Sequence, residues 1–397
     1  MYEACIRLGS GTTAPMKKCI EDVRAVNRPG LILDIEVLRA LAVLGVIFQH
    51  LPGNLFPRGA IDAALAQAMA GGWVGVDLFF AISGFVIARS FLPVALADSP
   101  ASPYRRLALR FWVARLFRLA PSAWLWLLVI LLLCVGYNRS GVFGSLETNL
   151  YWTLAGVLNF SNYLFVQYFG VSQPGASFVY WSLSLEEQFY LCFPVLVWLF
   201  RRKLAWFLLA LVLVQLFLER GLYGMMFRTD AIALGILLAL YDSSKLMQRL
   251  KSASTGRWAR LLLLALVALL FYLGSFTQQQ LPLQVSLVAL VAAALVLMCS
   301  GGDDLLAGTG RASKCLLWIG RRSYAMYLIH IPVMYFLRES AYRAQVDLGD
   351  HALLASLVAL ALIVLLAAGN YRWLEMPLRL RGNALAARWF GEQRKTD

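Results

Sequence analysis

The sequence predicts an all-α integral membrane protein with about ten transmembrane helices and one re-entrant or interfacial segment. Of its 397 residues, 60% are hydrophobic and only 15% are charged, whereas soluble domains usually have about a quarter of their residues charged. Apolar stretches of about 20 residues, the length that crosses a bilayer, recur along the chain. The net charge of +14 is compatible with a nucleic-acid partner. However, the basic residues flank apolar stretches, so orientation in a membrane explains them and we expect no nucleic acid.

Eleven apolar stretches are candidate spans. They are residues 31–51, 72–92, 119–136, 149–168, 181–200, 204–220, 225–241, 261–276, 282–300, 316–337 and 351–371. The weakest is 149–168, because Asn159, Ser161 and Asn162 interrupt it. Irregular backbone at membrane depth is tolerated where protein or a water-filled cavity covers it. We therefore predict that 149–168 is re-entrant or interfacial on the outer side, and that the other ten stretches span the membrane.

The distribution of Lys and Arg supports ten spans, because these residues collect on the cytoplasmic side of a membrane. Segment 93–118 is rich in Arg, RRK occupies 201–203, and six basic residues lie in 372–397. All three segments are cytoplasmic only if one candidate stretch does not cross. This distribution predicts a multi-pass protein of the cell inner (cytoplasmic) membrane with both termini in the cytoplasm.

The composition divides the chain into three parts. Residues 1–30 carry scattered charges and no apolar run, so we expect a cytoplasmic extension and not a signal peptide. Residues 31–380 form the transmembrane domain, and 381–397 form a basic cytoplasmic tail. The stretch 104–118 is basic and apolar at helical spacing. It fits an amphipathic helix on the anionic cytoplasmic surface, and a functional role is equally open.

The first candidate span contains an arginine and a histidine eleven residues apart, Arg39 and His50. At about 100° and 1.5 Å per residue, both side chains share one helix face and lie about 16 Å apart along the axis. Glu36, three residues before Arg39, can pair with it. A simpler interpretation is that Arg39 snorkels to the inner surface and that His50 caps the outer end. Because ionisable residues inside membranes are functional by default, we expect both to contact one long ligand.

Further side chains that carry a polar group lie in apolar stretches. They are Asp77, Ser83, Trp181, Ser182, Glu186, Glu187, Arg228, Asp230, Tyr324 and His330. Each alone could join two helices, but several together predict a polar cavity that they line. Glu186 and Glu187 point about 100° apart, so at most one faces a given cavity. The three histidines and six cysteines lack the spacing of metal ligands, so we expect no metal.

Six segments resemble the motifs of one protein family. IEVLRALAVLGVIFQH contains an Arg and a His separated by ten residues, and it is followed by GWVGVDLFFAISGFVI, RLFRLAP, WSLSLEEQFYL, SYAMYLIHIP and RWLEMPLRL. In this order they resemble the acyltransferase 3 family, membrane acyltransferases that include bacterial polysaccharide O-acetyltransferases. The resemblance covers about residues 31–379. The departures are mild; for example, Val37 stands where many relatives have glycine.

The resemblance implies transfer of an acyl group, with acetyl as the first candidate, from cytoplasmic acyl-CoA to a hydroxyl. The acceptor would be a cell-surface or exported carbohydrate or a glycolipid such as lipopolysaccharide. Acyl-CoA would be a co-substrate, and we expect no bound cofactor. Arg39 would hold a phosphate or the pantetheine arm, while Arg115 and Arg118 would bind the CoA phosphates through their planar forks.

His50 is the expected general base, because a neutral imidazole can take the proton of a sugar hydroxyl near neutral pH. An acyl-histidine intermediate is the alternative. Glu186 is expected to orient the imidazole or to serve as the base itself. The remaining polar residues, Glu36 among them, are expected to support the cavity.

Two other classes of protein fit part of the pattern. A secondary transporter or flippase for a lipid-linked sugar would also have about ten spans with charges at mid-membrane. However, no pair of spans broken by Gly or Pro occurs at matching places in two halves. A scaffold within a polysaccharide assembly complex would leave the buried charges without a role.

Overall fold

The computed structural model describes residues 31–56, 63–97, 103–170, 175–218, 220–302 and 304–390. These residues form helices and turns without a β-strand, which confirms the all-α prediction. The predicted cytoplasmic extension, 1–30, and the end of the predicted basic tail, 391–397, lie outside the described residues.

The first part of the chain forms α1 (Leu33–His50), α2 (Ala63–Ala70), α3 (Val74–Ala95), α4 (Tyr104–Gly136), α5 (Leu146–Val157), α6 (Ser161–Tyr168), α7 (Tyr180–Phe200) and α8 (Leu204–Phe217). The second part forms α9 (Leu222–Met226), α10 (Asp230–Leu240), α11 (Lys245–Ala253), α12 (Gly256–Gly274), α13 (Gln284–Cys299), α14 (Arg311–Arg321), α15 (Ser323–Ala344), α16 (Ala352–Asn370) and α17 (Met376–Phe390). Short helical turns at Gly71–Trp73, Arg201–Lys203 and Tyr371–Glu375 join neighbouring helices.

Five helical stretches among the described residues are long and apolar enough to cross a membrane. They are Leu65–Ala95, Tyr104–Gly136, Leu222–Leu240, Gly256–Gly274 and Ala352–Phe390. Several such helices indicate a multi-pass membrane protein, while the count of ten stays a prediction. Helices α1, α7 and α15, which carry many of the predicted site residues, are not among the five.

The fourth candidate span is divided between α5 and α6, which have 12 and 8 residues, each shorter than the roughly 20 that cross a bilayer. The turn between them contains Asn159 at a positive φ of 59°. Gln188 Nε2 of α7 donates to Asn159 O at 2.7 Å and to Asn162 Oδ1 at 2.9 Å. The polar residues that interrupt the apolar pattern thus fasten this segment to α7. Its re-entrant or interfacial placement stays a prediction.

Helix α4 is continuous over 33 residues, or about 50 Å at 1.5 Å per residue. The predicted amphipathic stretch 104–118 is its first half and not a separate helix. Helix α17 packs along it so closely that a Cβ added to Gly382 would lie 2.2 Å from the Cβ of Phe117. Residues 381–390 of the predicted tail therefore belong to a helix that lies against α4.

The centre of the molecule is the crossing of α3 with α1 on one side and α10 on the other. A Cβ added to Gly84 of α3 would lie 2.2 Å from Ile232 O, and one added to Gly235 of α10 would lie 2.2 Å from Ala81 O. Only glycine allows the two backbones to approach this closely. The crossing places the polar residues of α3, Asp77 and Ser83, in the middle of the helix packing.

Candidate active site

Two cavities bring most of the predicted site residues together. The polar and aromatic lining of the first, the Arg39 cavity, includes Arg39, Ser83, Arg115, Arg118, Ser182, Glu186, Tyr190, Ser323, Tyr324 and Tyr327. The corresponding lining of the second, the His50 cavity, includes Gln49, His50, Trp73, Phe165, Phe169, Phe178, Trp181, Arg220, Arg228, Gln278 and Tyr327. Val76 of α3 and Tyr327 of α15 line both. The two cavities therefore meet at one shared wall.

The Arg39 cavity continues toward the start of α1. A third cavity, lined by Glu36, Arg39, Val86 and Arg89, shares Arg39 and Val86 with it. Arg39 Nη1 donates to Glu36 Oε1 at 2.5 Å, so the predicted pairing of these two residues at i,i+3 is present. Arg39 thus lies at the boundary between the Arg39 cavity and the third cavity.

Two further arginines of the Arg39 cavity come from α4, one turn apart. The guanidinium of Arg115 lies 5.6 Å from the ring centre of Phe111 and 5.5 Å from that of Tyr190. Neither Arg115 nor Arg118 forms an ion pair with another described residue. Guanidinium forks without a carboxylate partner suit phosphate groups, which they can bind bidentately.

Glu186 is the one of the two adjacent carboxylates that faces the Arg39 cavity, as the helical spacing required. Its Oε1 accepts a hydrogen bond from Ser83 Oγ at 2.5 Å and another from the hydroxyl of Tyr190. Glu186 and His50 line different cavities, and no hydrogen bond joins them among the described residues. That Glu186 orients the imidazole or serves as the base itself stays a prediction. Helix α7 turns the carboxylate toward α3 and into the other cavity.

His50 is oriented by its own helix instead. Its Nδ1 lies 2.7 Å from the carbonyl oxygen of Val46, and because a carbonyl only accepts, Nδ1 carries the proton and Nε2 keeps a lone pair. The ring borders the His50 cavity and packs against Phe178, with ring centres 5.7 Å apart. Asn54 Nδ2 donates to the carbonyl of His50 at 2.7 Å and fixes the end of α1. The lone pair is available as a base or as a nucleophile.

The second histidine of the site, His330, is fully buried behind His50. The two rings lie edge to face with centres 5.0 Å apart. His330 Nδ1 lies 2.6 Å from Tyr327 O, so the same argument places its proton on Nδ1. Its Nε2 has no hydrogen-bond partner among the described residues. His330 supports the His50 ring by packing.

Two ion pairs stand beside the His50 cavity. Arg228 binds Asp77 bidentately, at 2.8 Å through Nε and 3.0 Å through Nη2, and its guanidinium lies 4.9 Å from the ring centre of Trp181. Arg220 Nη2 binds Asp230 Oδ2 at 2.5 Å. Burial of a charge is tolerated when it is paired in this way. Asp77 and Asp230 therefore act as partners of the lining arginines and do not line the cavity themselves.

The predicted site residues thus form three groups. Those that line the Arg39 cavity are Arg39, Ser83, Arg115, Arg118, Ser182, Glu186 and Tyr324, and those that line the His50 cavity are His50, Trp181 and Arg228. Asp77, Asp230 and His330 lie behind them as partners, and Glu36, the partner of Arg39, lines the third cavity. Among the described residues, no group of three His, Cys, Asp or Glu side chains is arranged to hold a metal ion.

Sequence reasoning missed three important residues of the site. Tyr190 stands one turn after Glu186, so the i,i+4 spacing in WSLSLEEQFYL was an available signal. Tyr327 lies within the motif that supplied Tyr324 and is half of the shared wall. Arg220 had only an indirect signal: the buried carboxylate of Asp230 requires a cation, and Arg220 provides it.

The sequence of the chain matches one known protein family. The sequence model of an acyltransferase domain matches residues 32–369, most of the chain. The chain belongs to the acyltransferase 3 family. The resemblance of the six motifs is thereby confirmed, and the Arg39 and His50 cavities lie within the matched acyltransferase domain.

Several curated relatives within this family carry related names. "O-acetyltransferase OatA" of Staphylococcus aureus (strain NCTC 8325 / PS 47) is 25% identical in an alignment of 397 residues. The alignment covers 89% of this chain and 58% of the relative. "Putative peptidoglycan O-acetyltransferase YrhL" of Bacillus subtilis (strain 168) is 27% identical over 383 residues, or 89% of this chain and 55% of the relative. The chain spans little more than half the length of these relatives. No solved structure matches the chain.

Proposed function

We propose that the protein is a membrane O-acyltransferase that moves an acyl group from cytoplasmic acyl-CoA to a hydroxyl of a carbohydrate or glycolipid at the outer side. Acetyl is the first candidate for the acyl group, since the named relatives are O-acetyltransferases. The observation that carries the proposal is the pair of cavities that meet at Val76 and Tyr327. One offers guanidinium groups, and the other offers an imidazole lone pair.

The Arg39 cavity is the proposed donor side. Its volume is about 90 Å³, and three arginines lie in its lining. Arg115 and Arg118 would hold the phosphates of acyl-CoA, and Arg39 would hold a phosphate or the pantetheine arm. The thioester would then point toward the shared wall. Glu186, bonded to Ser83 and Tyr190, would shape this passage.

The His50 cavity is the proposed acceptor side. His50 Nε2 takes the proton of the acceptor hydroxyl while its oxygen forms a bond to the thioester carbonyl carbon. The carbon–sulfur bond breaks, and the imidazolium returns the proton to the thiolate, which leaves as CoA. Nδ1 stays bonded to the carbonyl of Val46 throughout. In the alternative course Nε2 attacks the thioester itself, and the acyl group passes through an acyl-histidine.

The test of the function is release of the CoA thiol by protein in membranes. We expect thiol release from acetyl-CoA to depend on an acceptor, supplied as a glycan and glycolipid extract of the native membrane, and to match acetyl ester formed on the extract. A transporter or flippase would bind or move the sugar without releasing thiol. The proposal would be contradicted if membranes that contain the inserted protein released no CoA thiol in response to the acceptor extract. An acetyl adduct on the wild-type protein that is lost in acid and is absent from His50→Ala would select the acyl-histidine course, because an acylimidazole hydrolyses readily.

The donor assignment also requires the topology predicted from the charges. We expect reporter fusions placed after Lys203 and at the C-terminus both to report the cytoplasm, since ten spans put both on the side that is rich in Lys and Arg. A fusion within the loop that joins α4 and α5, after Gly141, should report the opposite side. An extracytoplasmic signal from either of the first two fusions would exclude ten spans.

A further inference from the structure

The third cavity has a volume of about 370 Å³ and lies between the start of α1 and the second half of α3. That volume falls within the range of small-molecule pockets, about 300–1,000 Å³. Arg39 and Val86 line both this cavity and the Arg39 cavity, so the two spaces adjoin. The proposed function uses Arg39 from the third cavity and gives no ligand to the rest of it.

The third cavity contains two arginines, and they differ in how their charge is balanced. Arg39 pairs with Glu36 through Nη1 and Oε1 at 2.5 Å. Arg89 of α3 forms no ion pair with another described residue, and its guanidinium lies 6.0 Å from the ring centre of Phe85. The Arg89 side chain is exposed and lines the cavity. One positive charge therefore remains uncompensated in this part of the cavity, which favours an anionic ligand.

The wall beside these charges is apolar. Leu31, which is 40% exposed, lines the cavity together with Ile32 from the start of α1, and Val86 lines it from α3. Pockets of this kind bind the apolar part of a ligand through their walls and fix its orientation through a few polar groups. A ring system that carries a phosphate would use both parts of the third cavity, whereas an inorganic anion would use Arg89 alone.

The phosphates of acyl-CoA are divided in the same way as the arginines. One phosphate is on the 3′ oxygen of the adenosine ribose, and the other two form the pyrophosphate that leads to pantetheine and the thioester. Arg89 lines the third cavity, Arg39 lines the third cavity and the Arg39 cavity, and Arg115 and Arg118 line the Arg39 cavity. The shared wall beside the His50 cavity follows. With the thioester at that wall, the nucleotide end of acyl-CoA reaches toward Arg89.

We propose that the third cavity is the nucleotide subsite of the donor: Arg89 binds the 3′-phosphate of acyl-CoA, and the adenine ring packs against Leu31 and Val86. This assignment rests on the proposed function and deepens it by naming where the nucleotide end of the donor binds. A guanidinium can bind a phosphate through two parallel hydrogen bonds. Arg89 and Leu31 are then binding residues that lie away from the reacting atoms.

The test measures kcat/KM from thiol release, with the native membrane extract as acceptor and three donors: acetyl-CoA, acetyl-3′-dephospho-CoA and acetyl-4′-phosphopantetheine. We expect the wild-type protein to prefer acetyl-CoA to the 3′-dephospho donor by about tenfold or more, the equivalent of one charge-assisted hydrogen bond. Arg89→Gln should bring these two donors to within about twofold of each other. Arg89→Lys, which keeps the charge without the planar fork, should retain part of the preference.

The ratio between two donors guards against misfolding, because a loss of folded protein lowers both values equally. Arg115→Gln is the matched control in the Arg39 cavity, where the proposed contact is to phosphates that both donors keep. It should lower kcat/KM for both and preserve their ratio. Leu31→Asn tests the apolar wall and should lower the preference for the 3′-dephospho donor over acetyl-4′-phosphopantetheine, which has no adenosine, by about threefold.

The outcomes separate this inference from the proposed function. No thiol release from any donor, in membranes that contain the inserted protein, would remove the proposed function itself. Release from acetyl-CoA, combined with equal use of the 3′-dephospho donor by the wild-type protein, would overturn the nucleotide subsite alone. An Arg89→Gln variant that keeps the full preference for acetyl-CoA would do the same, and this result is expected if Arg89 binds the phosphate of a lipid headgroup.

Discussion

The two cavities differ in how their charges are compensated. In the Arg39 cavity, Arg39 has Glu36 and the carboxylate of Glu186 lies nearby, but Arg115 and Arg118 pair with no described carboxylate. In the His50 cavity each arginine has its own aspartate. A positive excess suits a polyanion such as acyl-CoA, and the balanced, aromatic-lined space lacks this excess. This difference in charge supports the proposal that acyl-CoA binds in the Arg39 cavity and that the acceptor binds in the His50 cavity, on the other side of the shared wall.

The proposed roles of the two cavities are tested most directly by removing the imidazole of His50. We expect His50→Ala to lower transfer by about 10²–10⁴, the usual effect of losing a general base, while acyl-CoA binding persists because the arginines of the other cavity are intact. The measurement is acyl transfer to the native membrane extract by equal amounts of wild-type and variant protein. Transfer within about threefold of wild type, far less than the loss of a general base costs, would leave His50 as a helix cap only.

A second test concerns the donor cavity alone. Arg39→Lys keeps the positive charge but loses the planar fork. The single ammonium group of the lysine would pair with Glu36 and would have fewer hydrogen-bond donors to offer to acyl-CoA. We expect KM for acyl-CoA to rise about tenfold, the loss of one charge-assisted hydrogen bond, with KM for the acceptor unchanged. Arg257→Lys, a change at an exposed arginine of α12, is the matched control and should alter neither. Full donor affinity in the Arg39 variant would make Arg39 a membrane anchor.

The sequence predicted the content of the site better than its arrangement. Helical periodicity placed Arg39 and His50 on one face of α1 and paired Glu36 with Arg39, since these relations are fixed within one helix. It did not predict that the two residues line different cavities, because Val76 of α3 and Tyr327 of α15 come between them. Which neighbouring helix meets a given face depends on tertiary packing.

Glu186 and Arg220 both show that the contacts of a site residue depend on tertiary packing. Glu186 was recognised from the sequence, and Arg220 was not. Glu186 was recognised as a site residue, but its partners Ser83 and Tyr190 are set by the approach of α7 to α3. Arg220 was overlooked because it lies outside the regular helices, between α8 and α9, where no periodicity describes its direction. Its role follows only from Asp230, which is adjacent to it in space. Residues on connections have to be located by structure.

A third test asks whether Glu186 acts only on the donor side. Glu186→Gln keeps the shape of the side chain but weakens its hydrogen bonds to Ser83 and Tyr190, so we expect a fall of about three- to tenfold in kcat/KM for acyl-CoA. The pH–rate profile should keep its acidic limb, because no hydrogen bond joins Glu186 to His50. Movement of that limb to lower pH would mean that the carboxylate stabilises the protonated imidazole after all. Glu187→Gln, at the neighbouring position outside the Arg39 cavity, is the control.

The smallest effect on acyl transfer is expected from a substitution in the wall that both cavities share. The hydroxyl of Tyr327 lies 2.6 Å from Ser182 Oγ and donates to Val179 O at 3.1 Å, which holds the ring between the two spaces. Tyr327→Phe keeps the ring and removes these bonds, a loss of about 1 kcal/mol each, so the wall loosens without disappearing. We expect transfer to fall by about two- to fivefold.

The informative quantity for the wall is the coupling between thiol release and acyl transfer. If the wall keeps water on the acceptor side away from the thioester until an acceptor is bound, Tyr327→Phe will release CoA thiol from acetyl-CoA without acceptor, at a rate above that of wild type. Ser182→Ala removes the shared hydrogen bond from the other partner and should produce the same uncoupling. Both variants are compared by thiol release with and without the membrane extract, normalised to acetyl ester formed. Tight coupling in both would mean that the hydrogen bonds of Tyr327 do not keep water from the thioester, and that the contrast in charge between the two cavities is what keeps donor and acceptor apart.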